Sequence, residues 1–177
     1  MAILSLHSKS NKFTELLEEN KLKFYKTAKI ILKNDDDVHD ALQDALLSMY
    51  QNFDTLRDKK LFSTWGTRIV INKCYDFLRK RKNNFIALDI TNENDIEISS
   101  LDEYDVDKYG IKQIMNEYLS EEQKLVIILF YYDDYSLKEI SKILDIPEGT
   151  VKSRLSKARE ILKEKLEKEE IWYERFW

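Results

Sequence analysis

The chain has 177 residues but only one proline, three glycines, one cysteine and two histidines. Each scarcity excludes something. With so little proline and glycine, the tight turns that join short strands have few residues to form them, and an all-α protein is expected. A single thiol, Cys74, cannot close an internal disulfide, which fits a reducing cytoplasm. Cys74 with only His7 and His39 makes neither a zinc set nor a nucleophile–base pair, so no metal, cofactor or enzymatic activity is expected. Long apolar runs are missing too. The longest stretch free of Asp, Glu, Lys and Arg is nine residues, Ala45 to Phe53, against about 20 for a spanning helix. The opening MAILSLHSKSN lacks the basic segment and apolar length of a secretion signal. These features predict a cytoplasmic protein without membrane insertion. Hydrophobic residues at 43% still suffice for a core, and the length suits one domain or two small ones.

The net charge of −4 is unevenly spread. Arg57 to Lys82 carries nine basic and two acidic residues, Asn83 to Gly110 eight acidic and one basic, and Ser136 to Lys163 seven basic and four acidic. Two basic blocks thus flank an acidic stretch, and the average conceals opposite local fields. The shift in composition predicts a helical domain over 1–82, an acidic linker over 83–110 and a second helical domain over 111–177.

Ser136 to Lys163, SLKEISKILDIPEGTVKSRLSKAREILK, reads as two helices around a tight turn. Ser136 and Glu139 form a capping box, each satisfying a free backbone N–H at a helix start. Leu137, Ile140, Ile143 and Leu144 share one face. Asp145 and Ile146 end that helix ahead of Pro147, which suits the first position of the next. Val151, Leu155, Ala158 and Leu162 form the buried stripe of the second helix. Away from that stripe lie Gly149, Lys152, Ser153, Ser156, Lys157 and Arg159, with Thr150 and Arg154 on the flanks. Small residues let a backbone approach, cations meet phosphates or guanine edges, and hydroxyls serve either, so this helix can enter a DNA major groove. A helical hairpin with a solvated basic face fits the same pattern.

Upstream, Lys12 to Lys33 is expected to form a first helix, broken at Asn34-Asp35-Asp36-Asp37, whose aspartates can cap the next. That helix should run to about Phe53, with Val38, Ala41, Leu42, Ala45, Met49 and Phe53 inward and Asp40, Gln43 and Asp44 toward the other side. Gln51 to Lys60 reads as a polar loop. The third helix, Ser63 to about Lys82, gathers Val70, Ile71, Cys74, Phe77 and Leu78 on one side. Trp65, Arg68, Ile69, Asn72, Lys73, Asp76 and Arg79 take the other. A tryptophan among cations is either a stacking platform for an unpaired base or a ring packed under the preceding loop or against the first helix. Arg79 to Lys82 is either a phosphate-binding end or a solvated terminus that complements the helix dipole.

In the second domain, Ile111 to Tyr118 and a helix capped by Ser120 and Gln123 precede the hairpin. LVIILFYY, Leu125 to Tyr132, is apolar nearly all round and should centre a small core. The chain ends in IWYERFW, which either docks onto a domain of its own or meets another protein.

Three ordered blocks resemble the extracytoplasmic-function (ECF) group of bacterial sigma factors, of the sigma-70 family. DALQDALLSMYQNF is similar to that group's D-L-v-Q-E-v-f-l-r-l-w helix through Asp40, Gln43, Asp44 and Tyr50. LFSTWGTRIVINKCYDFLRKRK is similar to its F-x-x-W-l-x-r-I-a-x-N-x-x-x-D-x-x-R-r helix through Phe62, Trp65, Arg68, Ile69, Asn72, Asp76 and Arg79. SLKEISKILDIPEGTVKSRLSKARE resembles its helix-turn-helix signature, with Asp145 for the usual glycine and Lys157 for a usual arginine. The resemblance implies a promoter-specificity subunit of RNA polymerase. Asp40, Gln43 and Asp44 would dock on the clamp helices of the largest catalytic subunit. Trp65, Arg68, Asn72, Lys73, Asp76 and Arg79 would line the melted minus-10 strand, with the Gln51–Lys60 loop holding an extruded base. Gly149, Thr150, Lys152, Ser153, Arg154, Ser156, Lys157 and Arg159 would read the minus-35 element. The acidic linker would thread the polymerase cleft, and an anti-sigma factor would cover these surfaces. Other classes are a stand-alone helix-turn-helix regulator, binding half-sites about one turn apart as a dimer, and a helical interaction protein with no DNA role.

Overall fold

The structure, a computed structural model, describes the backbone of residues 2–32, 34–86 and 111–168, and their side chains apart from residues 2–9, 82–86, 112 and 168. The described residues form seven α-helices and two short 3-10 turns, with no strand among them. None of these helices is long and apolar enough to cross a membrane. The chain divides into two compact units, Met1–Glu93 and Asn94–Trp177.

In the first unit α1 (Ala2–Ile31), α2 (Asp35–Asn52) and α3 (Phe62–Ile86) pack pairwise against one another. α1 starts well before the expected Lys12, because nothing in residues 2–31 is a proline or glycine that would stop the helix propagating backwards. α3 likewise continues to Ile86, into the stretch read as linker. Asn34, rather than the aspartates, caps α2: its Oδ1 accepts from the N–H groups of Asp36 at 2.8 Å and Asp37 at 3.3 Å. Asp35, Asp36 and Asp37 instead fill the first turn, where carboxylates face the positive end of the helix. Lys29 at the end of α1 bonds to Asp35 and holds its carboxyl below the usual range.

The core of this unit is aromatic. Phe62 at the start of α3 meets Phe13 of α1 at 5.9 Å and Phe53 at 6.0 Å, both edge to face, a favoured ring geometry. Around it Phe24, Ala28, Val38, Ala41, Ala45, Met49, Val70, Ile71 and Cys74 are buried. Leu42, Phe77 and Leu78, expected inside, are half-buried at its margin. Gly66 lets α1 and α3 come together, since a Cβ there would lie 2.4 Å from Phe24 Cζ. The loop between α2 and α3 is wound into turns at Phe53–Thr55 and Lys59–Leu61.

The second unit contains α4 (Ile111–Tyr118), α5 (Glu121–Tyr131), α6 (Leu137–Leu144) and α7 (Glu148–Lys168), with α7 against the other three. Lys124 to Leu129 are all buried, which makes α5 the centre, as LVIILFYY predicts. Both capping boxes form. Ser120 N–H donates to Gln123 Oε1 at 2.9 Å and Ser136 N–H to Glu139 Oε2 at 2.9 Å, and each serine Oγ accepts from the N–H three residues on at 3.3 Å. The α6–α7 turn places Asp145 in the left-handed region, φ 56° and ψ 43°. Ile146 N–H then reaches back to Ser141 O at 3.2 Å, and Ser141 Oγ donates to Ile146 O at 2.6 Å. Pro147 stands one position before α7, and its carbonyl accepts from Thr150 and Val151 at 2.9 and 3.1 Å.

Candidate functional site

Three faces gather the candidate residues, two on the first unit and one on the second. On α7, burial of Val151, Leu155, Ala158, Leu162 and Leu166 against α4, α5 and α6 fixes which side looks outward. Gly149, Lys152, Ser153, Ser156 and Lys157 are exposed on that outer side, and Thr150 is half-buried at its edge. No atom lies within 4 Å of where a Gly149 Cβ would be, so the first turn is open to approach. Ser153 donates its hydroxyl to Thr150 O at 3.0 Å, leaving the oxygen lone pairs outward.

One residue expected on this face does otherwise, and one expected on its flank makes a contact of its own. Arg159 does not point away from the stripe: its guanidinium lies 5.5 Å from the Phe130 ring centre and 5.3 Å from that of Tyr131. Its three-methylene stem reaches back to the end of α5, and no periodicity within α7 alone could show that neighbour. Arg154 is half-buried and lies 3.5 Å from the Glu122 carboxylate of α5. Beside it a groove of about 540 Å³ runs between the start of α5 and α7, with Tyr118, Gln123, Lys157 and Ile161 in its walls.

On α3, positions 65, 68, 72, 76 and 79 recur at three- and four-residue spacing and therefore share a face. Asn72 and Arg79 are exposed there; Trp65, Arg68, Lys73 and Asp76 are half-buried. The Trp65 ring sits 5.8 Å from Phe62, so one side of it rests on the core, and its partial exposure leaves area for a further ring. Asp76 pairs with Arg79 one turn on. Arg81 turns from the basic tract to Asp37 of α2 at 2.7 Å.

The adjoining loop is held by Lys59, a residue that sequence reasoning passed over. Its Nζ donates to Phe53 O at 2.6 Å and Leu56 O at 2.8 Å and stands 3.8 Å from the Phe53 ring centre. Nothing in the local pattern distinguishes this lysine from Lys60 beside it.

On α2, Asp40, Gln43 and Asp44 are all exposed, and Leu47, 56% exposed, continues the same stripe one turn further with Tyr50. The i, i+3, i+4, i+7 spacing from Asp40 was a legible signal for Leu47. The face is thus acidic over its first turns and apolar beyond them, chemistry suited to a basic partner helix.

The chain matches the family Sigma-70 region 2 over residues 16–84 and the family Sigma-70, region 4 over residues 115–162. It is 30% identical over 165 residues to the ECF RNA polymerase sigma factor SigW of Bacillus subtilis (strain 168), covering 87% of this chain and 88% of that protein. It is 29% identical over 156 residues to the RNA polymerase sigma factor SigV of the same organism, covering 88% and 91%. Among solved structures, the sigma factor RpoE in complex with the anti-sigma factor NepR from Bartonella quintana has a TM-score of 0.69 at 26% identity, over 88% of this chain and 96% of that one.

Proposed function

As a member of the extracytoplasmic-function sigma factors of the sigma-70 family, this chain binds core RNA polymerase and directs promoter-specific initiation, and we propose that it divides that task among the three faces. Such proteins are initiation factors and not enzymes. The match to both sigma-70 regions sets aside the stand-alone regulator.

The α2 face would dock on the clamp helices of the largest catalytic subunit, with Asp40, Gln43 and Asp44 meeting basic residues and Leu47 packing one turn beyond them. The α3 face would then take the melted minus-10 strand. Trp65 supplies a ring for stacking, Arg68, Lys73 and Arg79 meet phosphates, and Asn72 offers an amide to a base edge. Asp76 would orient Arg79. Flipping a base costs a few kcal/mol, least in weakly paired DNA; the loop held by Lys59 would shelter the extruded base. On the second unit Gly149, Thr150, Lys152, Ser153, Ser156 and Lys157 would enter the major groove at the minus-35 element.

Neither DNA contact need be strong alone. Two modest sites on one chain, presented by a polymerase at the correct spacing, reinforce each other through effective concentration. This reconciles a net charge of −4 with work at DNA. The acidic 83–110 stretch would pass through the polymerase cleft, and an anti-sigma factor would silence the protein in the cytoplasm by covering the α2, α3 and α7 faces. The observation that carries the reading is the row of small, hydroxylic and cationic residues exposed on α7 opposite its buried stripe. Run-off transcription with purified bacterial core polymerase and a library of promoter fragments tests it. Initiation at a discrete set of sites is expected; unselective initiation would refute the proposal.

A further inference from the structure

The two arginines of α7 differ from Lys152 and Lys157 in what they touch. Lys152 and Lys157 are exposed on the outer face. Arg154 keeps 29% of its side-chain exposure and pairs at 3.5 Å with Glu122, in the first turn of α5. Arg159 lies within 5.5 Å of two ring centres at the last turn of α5, and its Nε is buried with no hydrogen-bond partner among the described residues. Phe130 and Tyr131 themselves meet edge to face at 5.0 Å. The anchors on α5 are eight residues apart, about 12 Å at 1.5 Å per residue, and the arginines on α7 five residues apart, about 7.5 Å. α7 is therefore gripped near both ends of the helix it crosses.

We propose that Arg154 and Arg159 are positioning residues that set the angle of α7 on α5, with Glu122, Phe130 and Tyr131 as their anchors, and that reading of DNA falls to the exposed Lys152, Ser153, Ser156 and Lys157. This rests on the assignment of α7 to the minus-35 element. The chemistry of each anchor supports it. The Glu122 carboxylate at 3.5 Å attracts the Arg154 guanidinium toward α5, in competition with a phosphate or guanine. Two aromatic faces attract the Arg159 cation at distances where cation–π contact is effective. A recognition helix docked over a small domain needs such arms, because a shift of about 1 Å misplaces every side chain along it.

The test uses holoenzyme, reconstituted from the full chain and core polymerase, on a promoter fragment selected by run-off transcription. Binding is measured over a series of salt concentrations for Lys157→Ala, Arg154→Ala, Arg154→Glu, Arg159→Ala, Arg159→Lys and the exchange Glu122→Arg with Arg154→Glu. Loss of a phosphate contact lowers the slope of log K against log salt by about 1, and Lys157→Ala should show that. Arg154→Ala and Arg159→Ala should weaken binding about three- to tenfold with the slope unchanged and polymerase association intact. Arg159→Lys should recover most of the loss, and the exchanged pair should bind better than Arg154→Glu alone. Should Arg159→Ala fail to fold, Arg159→Lys and the exchanged pair still decide. A slope reduced by about 1 in either arginine variant would make that arginine a DNA contact and overturn the proposal, as would an exchanged pair no better than the single variant. If Lys157→Ala changes neither affinity nor slope, the assignment of α7 to DNA fails first and separately.

Discussion

At Gly66 a single hydrogen decides how closely two helices lie. The Phe24 ring it faces is 1% exposed and cannot swing out, so the methyl of Gly66→Ala must push α1 from α3. Alanine gains about 1 kcal/mol in helix propensity, while overpacking costs typically ~1–3 kcal/mol. A net loss of about 1 kcal/mol is expected, read as a lower urea midpoint with an unchanged m-value. Cys74 is constrained by burial instead, which pushes its thiol up to about 12. In the folded protein iodoacetamide should therefore leave it untouched at pH 8 and alkylate it once urea is added, as mass spectrometry would show. The sign of the linkage follows. The unfolded chain releases this proton near pH 8.5 and the folded chain does not, so wild-type stability falls as pH rises, by about 1.4 kcal/mol per unit. The stability difference between wild type and Cys74→Ala should shrink accordingly in alkaline urea melts. Cys74 was readable as a core residue because it falls on the apolar side of a helical period. Gly66 was not, because its partner lies far back along the chain.

Among elements, the legible ones carry their instructions within a few residues. Ser120 with Gln123 and Ser136 with Glu139 specify helix starts through i, i+3 bonds, and both form. The Val151–Leu162 stripe is likewise a property of one helix. Elements defined by what stops them, or by a distant neighbour, were harder. Nothing before Lys12 marks a helix start, and the start of α1 moved. The cap of α2 passed from three aspartates to Asn34, whose side chain has the geometry to accept two N–H groups. Asp145 shows a local conflict resolved by tolerance: a non-glycine residue takes φ 56° where the family commonly has glycine. Left-handed geometry costs such a residue about 1–2 kcal/mol, and glycine loses about 0.4–1 kcal/mol to unfolded-state entropy. Asp145→Gly should thus stabilise the second unit by up to ~1 kcal/mol, seen as a rise in the thermal midpoint.

For the whole molecule, the separation of opposite charges was legible as soon as the −4 total was broken into blocks. Which cations stay available was not, because Arg81, Arg154 and Arg159 turn to partners inside their own unit. The acidic stretch from residue 87 onward and the aromatic tail lie outside the described residues. Function should split along the division into units. Asp40→Lys with Asp44→Lys is expected to abolish capture of core polymerase in a pull-down while leaving the melting of the protein unchanged, since both side chains are exposed. The reach of Arg81 to Asp37 has a consequence of its own. It is a latch between the far end of α3 and the doorway of α2, facing water and therefore softened by ions within a Debye length of roughly 8 Å at physiological strength. In brine this corner would slacken while the phenylalanine cluster at the other end of the α2–α3 pair, built on ring contacts, held its shape.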